Sequence, residues 1–189
     1  MVSEKQAVTS HAEDAASMRA LYLKRMRNVP GAVAIIGTAL KGLRGGLAAT
    51  AWSSLSADPP SMLICVNRSA SAHDMIVGSG VFTINQLATS HDETVAIFSN
   101  QRGLQGDARF LADEWMTGST GAPVLTSAVT AFECRTVKHV IHHTHSIFIG
   151  QVEAIFVHDA DCDPVSYFDG ALCTIARPAP RSCLSTSGK

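Results

Sequence analysis

The sequence predicts a mainly β domain, a closed or half-closed barrel with helices packed outside it. Three observations carry that expectation: many short β-branched or alternating runs, few helical stripes, and glycine-rich turns between the runs. A chain of 189 residues suits one compact domain with a sizeable core. The domain is read over residues 13–176, between a flexible leader at 1–12 and a Pro- and Ser-rich flexible tail at 177–189.

From Glu13 to Asn28, the residues Ala15, Met18, Leu21, Tyr22 and Met26 recur at three- and four-residue steps, which predicts a helix with one apolar stripe, ended by Pro30-Gly31. AVAIIGTA and LAATAWSSLS flank the glycine turn KGLRGG and read as a hairpin. Asp58-Pro59-Pro60 is expected to be extended, because each proline restricts its predecessor. SMLICVN has little polar alternation and predicts a strand covered on both faces. SASAHDMIVGSG suggests a short helix with hydroxyls at its N-terminal end, and VFTINQL a further strand. Ser90 and Asp92 are expected to cap a helix through Phe98, after which residues 99–121 read as a long irregular excursion. Strands return in SAVTAFECRTVKHVIHH and SIFIGQVEAIFVHD, and Asp169-Gly170 links a last pair, VSYFDG and ALCTIA.

Charge and composition exclude several functions. Fifteen basic residues against 16 acidic ones give a net charge of -1, which leaves no field to attract nucleic acid. The first residues are polar and acidic where a secretion signal is basic and then apolar, and no apolar run approaches the ~18 residues of a membrane span. A cytoplasmic protein is therefore expected. Only 16% of residues are charged, so some apolar surface should face a second copy, and a homodimer is expected. Five cysteines without a CxxC pair are no disulfide framework, and Cys65 and Cys134 read as small core residues.

Three segments could carry chemistry. Residues 45–56 put small side chains and hydroxyls on a strand after a glycine turn, where a flat ring can approach the backbone; a tightly packed barrel strand has the same composition. In residues 66–73, Asn67, Ser69 and Ser71 surround Arg68 just before a helix, which suits a phosphate, although simple N-capping is the alternative. His139, His142, His143 and His145 cluster within seven residues, but only alternate strand positions share a face, and no carboxylate or cysteine set completes a metal site. No metal is expected. GxGxxG, GxxxxGK[ST] and GxSxG are absent, so nucleotide-fold, P-loop and hydrolase solutions are unsupported.

Taken together, the strings MRNVPGAVAIIGT, GLAATAWSSLSADPPSMLICVNRSASAH, FTINQLA, FSN, GDARF, GAPVL, FEC, THSIFIGQV and YFDG resemble, in this order, the short-chain flavin reductases that serve two-component flavin monooxygenases. The resemblance spans residues 26 to about 170. It implies a Greek-key flavin-binding split β-barrel, a homodimer, a reductase that takes hydride from a nicotinamide nucleotide, and a separate monooxygenase acting on an aromatic compound as the consumer of reduced flavin. NADH is expected over NADPH because no basic cluster marks a place for a 2′-phosphate, and FAD is expected with FMN tolerated, a choice that the shape of the 99–121 loop decides. By the same resemblance, flavin contacts fall on Ala48, Ala49, Thr50, Ala51, Trp52 and Ser53, and on Cys65, Val66, Asn67, Arg68, Ser69 and Ser71. His145 is carried toward the nicotinamide, and Phe168 is an aromatic near that pocket. The sequence departs from the family where Ala48 replaces a usual threonine and His143 a usual glycine. Rival readings are an FMN reductase of a corrinoid cobalt centre, a non-catalytic flavin-binding protein and a haem or metal-binding barrel.

Overall fold

The computed structural model describes residues 12–111, 113–158 and 162–175. The leader and tail expected from the sequence lie outside these residues, apart from Ala12, which opens the first helix.

Helix α1 (Ala12–Met26) is followed by β1 (Gly31–Ala32), β2 (Ala34–Leu40), β3 (Leu43–Ala49), β4 (Trp52–Ala57), β5 (Pro60–Asn67), α2 (His73–Ser79), β6 (Val81–Gln86) and α3 (Asp92–Phe98). A short 3-10 turn (Gly106–Arg109) leads to β7 (Trp115–Thr117), β8 (Pro123–Leu125), β9 (Thr130–His142), β10 (His145–Val157), β11 (Val165–Phe168) and β12 (Ala171–Thr174). Seven strands form one antiparallel sheet in the order β3-β2-β6-β9-β10-β5-β4. The two edge strands, β3 and β4, are joined by only Thr50 and Ala51. The sheet curls, since Ile36 of β2 and Ile64 of β5 share one core, but its two edges do not pair, and the Trp52 indole N–H, donating to the Ala32 carbonyl at 2.9 Å, ties the start of β4 to β1.

Ala34, Ile36, Met62, Ile64, Val66, Phe82, Ile84, Cys134 and Phe148 come from five strands and fill the inside of the curl, with Ile76 of α2. On the other face Val33, Ile35, Leu87, Ile97, Phe98, Phe110, Val124 and Val165 make a second core under α3 and the 99–125 region. β2 feeds both cores and is buried through Thr38.

Several local expectations need correction. The first hairpin turns on Lys41 and Gly42 alone, both at positive φ (52° and 80°), as a two-residue hairpin turn requires. Gly45 and Gly46 instead lie within β3, because a Cβ on Gly46 would meet the Ile36 carbonyl and the Phe98 ring at 2.9 Å. LAATAWSSLS is broken at Thr50 and Ala51 into strands on opposite edges of the sheet. Asp58-Pro59-Pro60 is the tight turn of the β4–β5 hairpin, with a cis Asp58–Pro59 bond and Ala57 opposite Pro60. β5 is fully buried on one face only; Leu63 and Cys65, which point the other way, are half-buried because α2 and α3 pack elsewhere. The strands covered on both faces are β2 and β6, each with five successive buried residues.

Neither short helix is capped by the hydroxyls expected for it. Ala72 occupies the cap of α2 and His91 that of α3. The His91 ring accepts the Ala88 N–H at Nδ1 (2.8 Å) and meets the Ser127 hydroxyl through Nε2 (2.9 Å). The 99–121 excursion holds the 3-10 turn and β7, whose three residues are too few to show a period. Its fixed point is an aromatic group, Phe98, Phe110 and Trp115, with ring centroids 5.0–5.4 Å apart.

Candidate functional site

β3 is an edge strand, so alternate N–H and C=O groups along it face away from β2 and are open to a ligand. Two clefts lie along it and share Ser99. The first, about 450 Å³, has Ala48, Ala49 and Thr50 as its floor, Asp92, Val95 and Ser99 on the α3 side, and Tyr167, Gly170 and Leu172 on the β11–β12 wall. The second, about 550 Å³, runs over Gly45, Gly46 and Leu47 and is closed by Ser71, Met75, Asn100, Arg44 and Arg109. Seven residues of strand span roughly 24 Å, so the two clefts together make a trough long enough for a ring and a phosphorylated arm.

Charge divides the trough. Among the described residues, the first cleft has one ionisable carboxylate, Asp92, and no arginine or lysine, and the second has two guanidinium groups. Arg44 is fixed by a two-pronged pair with Asp107 (2.6 and 2.8 Å) and by stacking on Phe110. That pairing raises the Arg44 pKa and lowers that of Asp107. Arg109 donates to the carbonyls of Leu104 (2.9 Å) and Gly46 (3.1 Å), which fastens the 3-10 turn to β3.

The outer wall of the first cleft is clamped. Arg27 donates to the Asp169 carboxylate (3.2 Å) and carbonyl (2.9 Å), and the Asp169 N–H returns to the Arg27 carbonyl (2.8 Å). The β11–β12 turn, with Asp169 and Gly170 at positive φ, is thereby held against the end of α1.

Residues 67–72 form a compact turn. The Asn67 side-chain oxygen accepts both the N–H and the hydroxyl of Ser69 (each 2.9 Å), and the Ala70 N–H bonds the Asn67 carbonyl. The Arg68 N–H donates to the Thr144 carbonyl (2.9 Å) and its guanidinium to the His143 carbonyl (3.2 Å). His145 opens β10 directly opposite Asn67, exposed, with Nδ1 2.9 Å from the Thr144 hydroxyl.

The residues singled out from sequence therefore fall into groups. Ala48, Ala49 and Thr50 floor the first cleft and Ser71 lines the second. Asn67, Arg68, Ser69 and His145 meet at the β9–β10 turn. Ala51 and Cys65 are joined by a backbone bond (2.8 Å), and Val66 is wholly buried, so its side chain belongs to the core. Trp52 spends its indole N–H on the Ala32 carbonyl of β1, and Ser53 is exposed on β4. Phe168 lies outside both clefts, whereas its neighbour Tyr167 lines the first; alternation along a strand turns the two rings to opposite sides. Arg44, Asp92, Asn100 and Arg109 also line the trough, although the sequence marks Asp92 only as a helix cap and Asn100 and Arg109 only as parts of the strings FSN and GDARF.

Comparison with known proteins returns one family throughout. The model of the flavin reductase like domain matches residues 26–176. An FMN reductase (NADH) of Pantoea ananatis is 36% identical over 157 residues, 83% of this chain and 81% of that one. Another FMN reductase (NADH), from Ancylobacter novellus, is 37% identical over 134 residues, 71% and 73% of the two chains. Among solved structures, the flavin reductase component of a bacterial two-component tryptophan halogenase superposes with a TM-score of 0.75 at 26% identity, covering 87% of this chain and all of that one.

Proposed function

The chain belongs to the flavin reductase like domain family, and from that premise we propose that the trough along β3 holds a flavin by its edge and its phosphorylated arm. The chain is an NADH-dependent flavin oxidoreductase, as the curated relatives are. The observation that carries the reading is the open edge of β3, lying between a cleft floored by Ala48, Ala49 and Thr50 and a second one that carries Ser71, Arg44 and Arg109.

The donor set fits the group. Edge-strand N–H groups and the Thr50 hydroxyl match the polar rim of a three-ring system, and small side chains at 45, 46, 48 and 49 let it approach the backbone. The Ser71 hydroxyl and the guanidinium groups of Arg44 and Arg109 supply donors for phosphate in the second cleft, with the exposed Arg68 on the neighbouring turn. Of the residues carried over from the family, Ala48, Ala49, Thr50 and Ser71 line the trough and form the centre of the proposed contact set; Ala51, Trp52, Ser53, Cys65, Val66, Asn67, Arg68, Ser69 and Phe168 lie outside the two clefts and would contact the flavin only where it extends beyond them. The bound flavin supplies the acceptor for a hydride from the nicotinamide. The chain's own work is to align the two rings and exclude water, with His145 orienting the nicotinamide.

FAD and FMN both enter: the second cleft extends the trough past the phosphate loop, which gives an adenosine room, and the relatives reduce FMN. Reduced flavin passes to a separate monooxygenase acting on an aromatic compound, in the cytoplasm; no described helix is long and apolar enough to cross a membrane. The protein acts as a homodimer. Supporting this, Met18, Leu21, Tyr22, Leu23 and Met26 of α1 are 42–59% exposed, an apolar surface that the described residues leave uncovered. The experiment is steady-state NADH oxidation with free FMN, free FAD or a cob(II) corrinoid. Turnover with a free flavin supports the reading, and turnover with the corrinoid alone supports its rival.

A further inference from the structure

His73 is a buried imidazole that the proposed contacts with flavin and nicotinamide do not use. It is 5% exposed, at the first position of α2, immediately after the 67–72 turn. Its Nε2 lies 2.9 Å from the hydroxyl of Ser146, which is fully buried, and its Nδ1 lies 2.7 Å from the Asp74 carboxylate, which is open to solvent. The ring lies edge-on to Phe148 (5.7 Å between centroids) and edge-on to His139 (6.0 Å), which itself stacks flat on the same phenyl group at 4.5 Å.

The two ends of this chain of hydrogen bonds are the two halves of the site. Its own N–H donates to the Ala70 carbonyl, so His73 terminates the turn that presents Arg68, Ser69 and Ser71. Ser146 follows His145 on β10 and sits opposite Val66, one step from the Asn67–His145 pair. Arg68 makes a second tie, from the same turn to the carbonyls of Thr144 and His143. Ser146 has no other side-chain partner among the described residues, so losing the imidazole strands a buried hydroxyl and frees the turn from the strand.

Resting on the flavin reductase reading, we infer that His73 is a positioning residue: its bond to Ser146 sets the phosphate-holding turn in register with the strand that carries His145. Binding of the flavin arm and alignment of the nicotinamide are then mechanically linked, and loosening one loosens the other. Asp74 fixes the ring's orientation from the solvent side.

Substitutions at this one position separate the bond from the mere presence of a polar side chain. In His73→Gln the amide nitrogen reaches where Nε2 lies and keeps the Ser146 bond. In His73→Asn the amide reaches only where Nδ1 lies and loses it. The expected result is that His73→Asn and Ser146→Ala each raise the flavin KM several-fold and lower kcat about tenfold, the scale of a small misplacement of reacting groups. His73→Gln should stay within about threefold of the parent, and the Asn/Ala double variant should be no worse than either single one. The inference is overturned if His73→Asn and Ser146→Ala lower Tm yet leave kcat and flavin KM unchanged in the folded protein, or if Gln behaves as Asn does. Should His73→Asn not fold, Ser146→Ala carries the same test. If the parent protein itself does not reduce flavin with NADH, it is the functional reading that fails.

Discussion

Two turns in this molecule are each held by a buried polar side chain, and they are held in different ways. At residues 118–121 the Glu133 carboxylate, fully buried, accepts the N–H groups of Ser119 and Thr120 (2.9 and 2.8 Å) and both of their hydroxyls. The N–H and hydroxyl donors of Ser119 and Thr120 all go to the carboxylate, and Gly118 packs so closely that a Cβ there would overlap it. At residues 67–72 Asn67 ties down Ser69 and His73 ties the turn to Ser146, while the Ser71 hydroxyl and most of the Arg68 guanidinium remain outward. A saturated network makes an anchor; one with donors left over makes a binding surface. The same residue types at the two places thus point to stability in one and to ligand binding in the other.

Glu133→Ala should show the largest effect. Stranding four donors costs at least about 3 kcal/mol in urea unfolding, with flavin KM unchanged in the molecules that remain folded. A rise in flavin KM matching the stability loss would erase the distinction between the turns. The pH dependence sharpens it. Hydrogen bonds from Thr120 and Ser119 hold the Glu133 carboxyl below its ordinary value, overcoming the opposing and larger single effect of burial. A carboxylate depressed in the folded state contributes stability that is present above its unfolded pKa, about 4.3, and is lost as pH falls through the folded value. Glu133→Gln should therefore flatten the acid limb of a stability-versus-pH curve. The effect of His91 has the same sign in a higher window: burial lowers its pKa, so its contribution is present above about pH 6.5 and declines as pH drops below that.

At the second turn the order reverses. Arg68→Ala should raise the flavin KM about tenfold and Ser71→Ala a few-fold, each with Tm nearly unchanged, as steady-state kinetics and thermal melts would show. The smallest effect is a null one. Burial pushes the Cys134 thiol up to about 12, so it should resist a thiol reagent at pH 8 in the folded protein and react only on unfolding. Fast labelling of Cys134 in the native state would mean that the barrel interior opens.

Much of this architecture is legible in the sequence, for reasons that differ from element to element. The long hairpin of β9 and β10 announces itself through β-branched and aromatic runs, and Asp169-Gly170 through its turn chemistry. LAATAWSSLS hides its break, because Thr50 and Ala51 have no side-chain signature of a crossover and only the closing sheet decides where the two edges fall. β5 reads as doubly covered because Leu63 and Cys65 are apolar, although nothing packs fully over them. The floor of the first cleft and the 67–72 turn are legible as local strings. Arg44, Asp92, Arg109 and Tyr167 are not, since each reaches the trough from a separate element. His73 reads as an ordinary helix residue until Ser146, 73 positions away, is seen beside it.

The most direct test of the central claim is rapid mixing of NADH with the purified protein and free FMN or FAD, following loss of the flavin's visible absorption. A trough built to grip flavin predicts bleaching far faster than in the protein-free mixture, saturating with flavin and needing more of it in Ser71→Ala. Bleaching no faster than without protein, for either flavin, would contradict it.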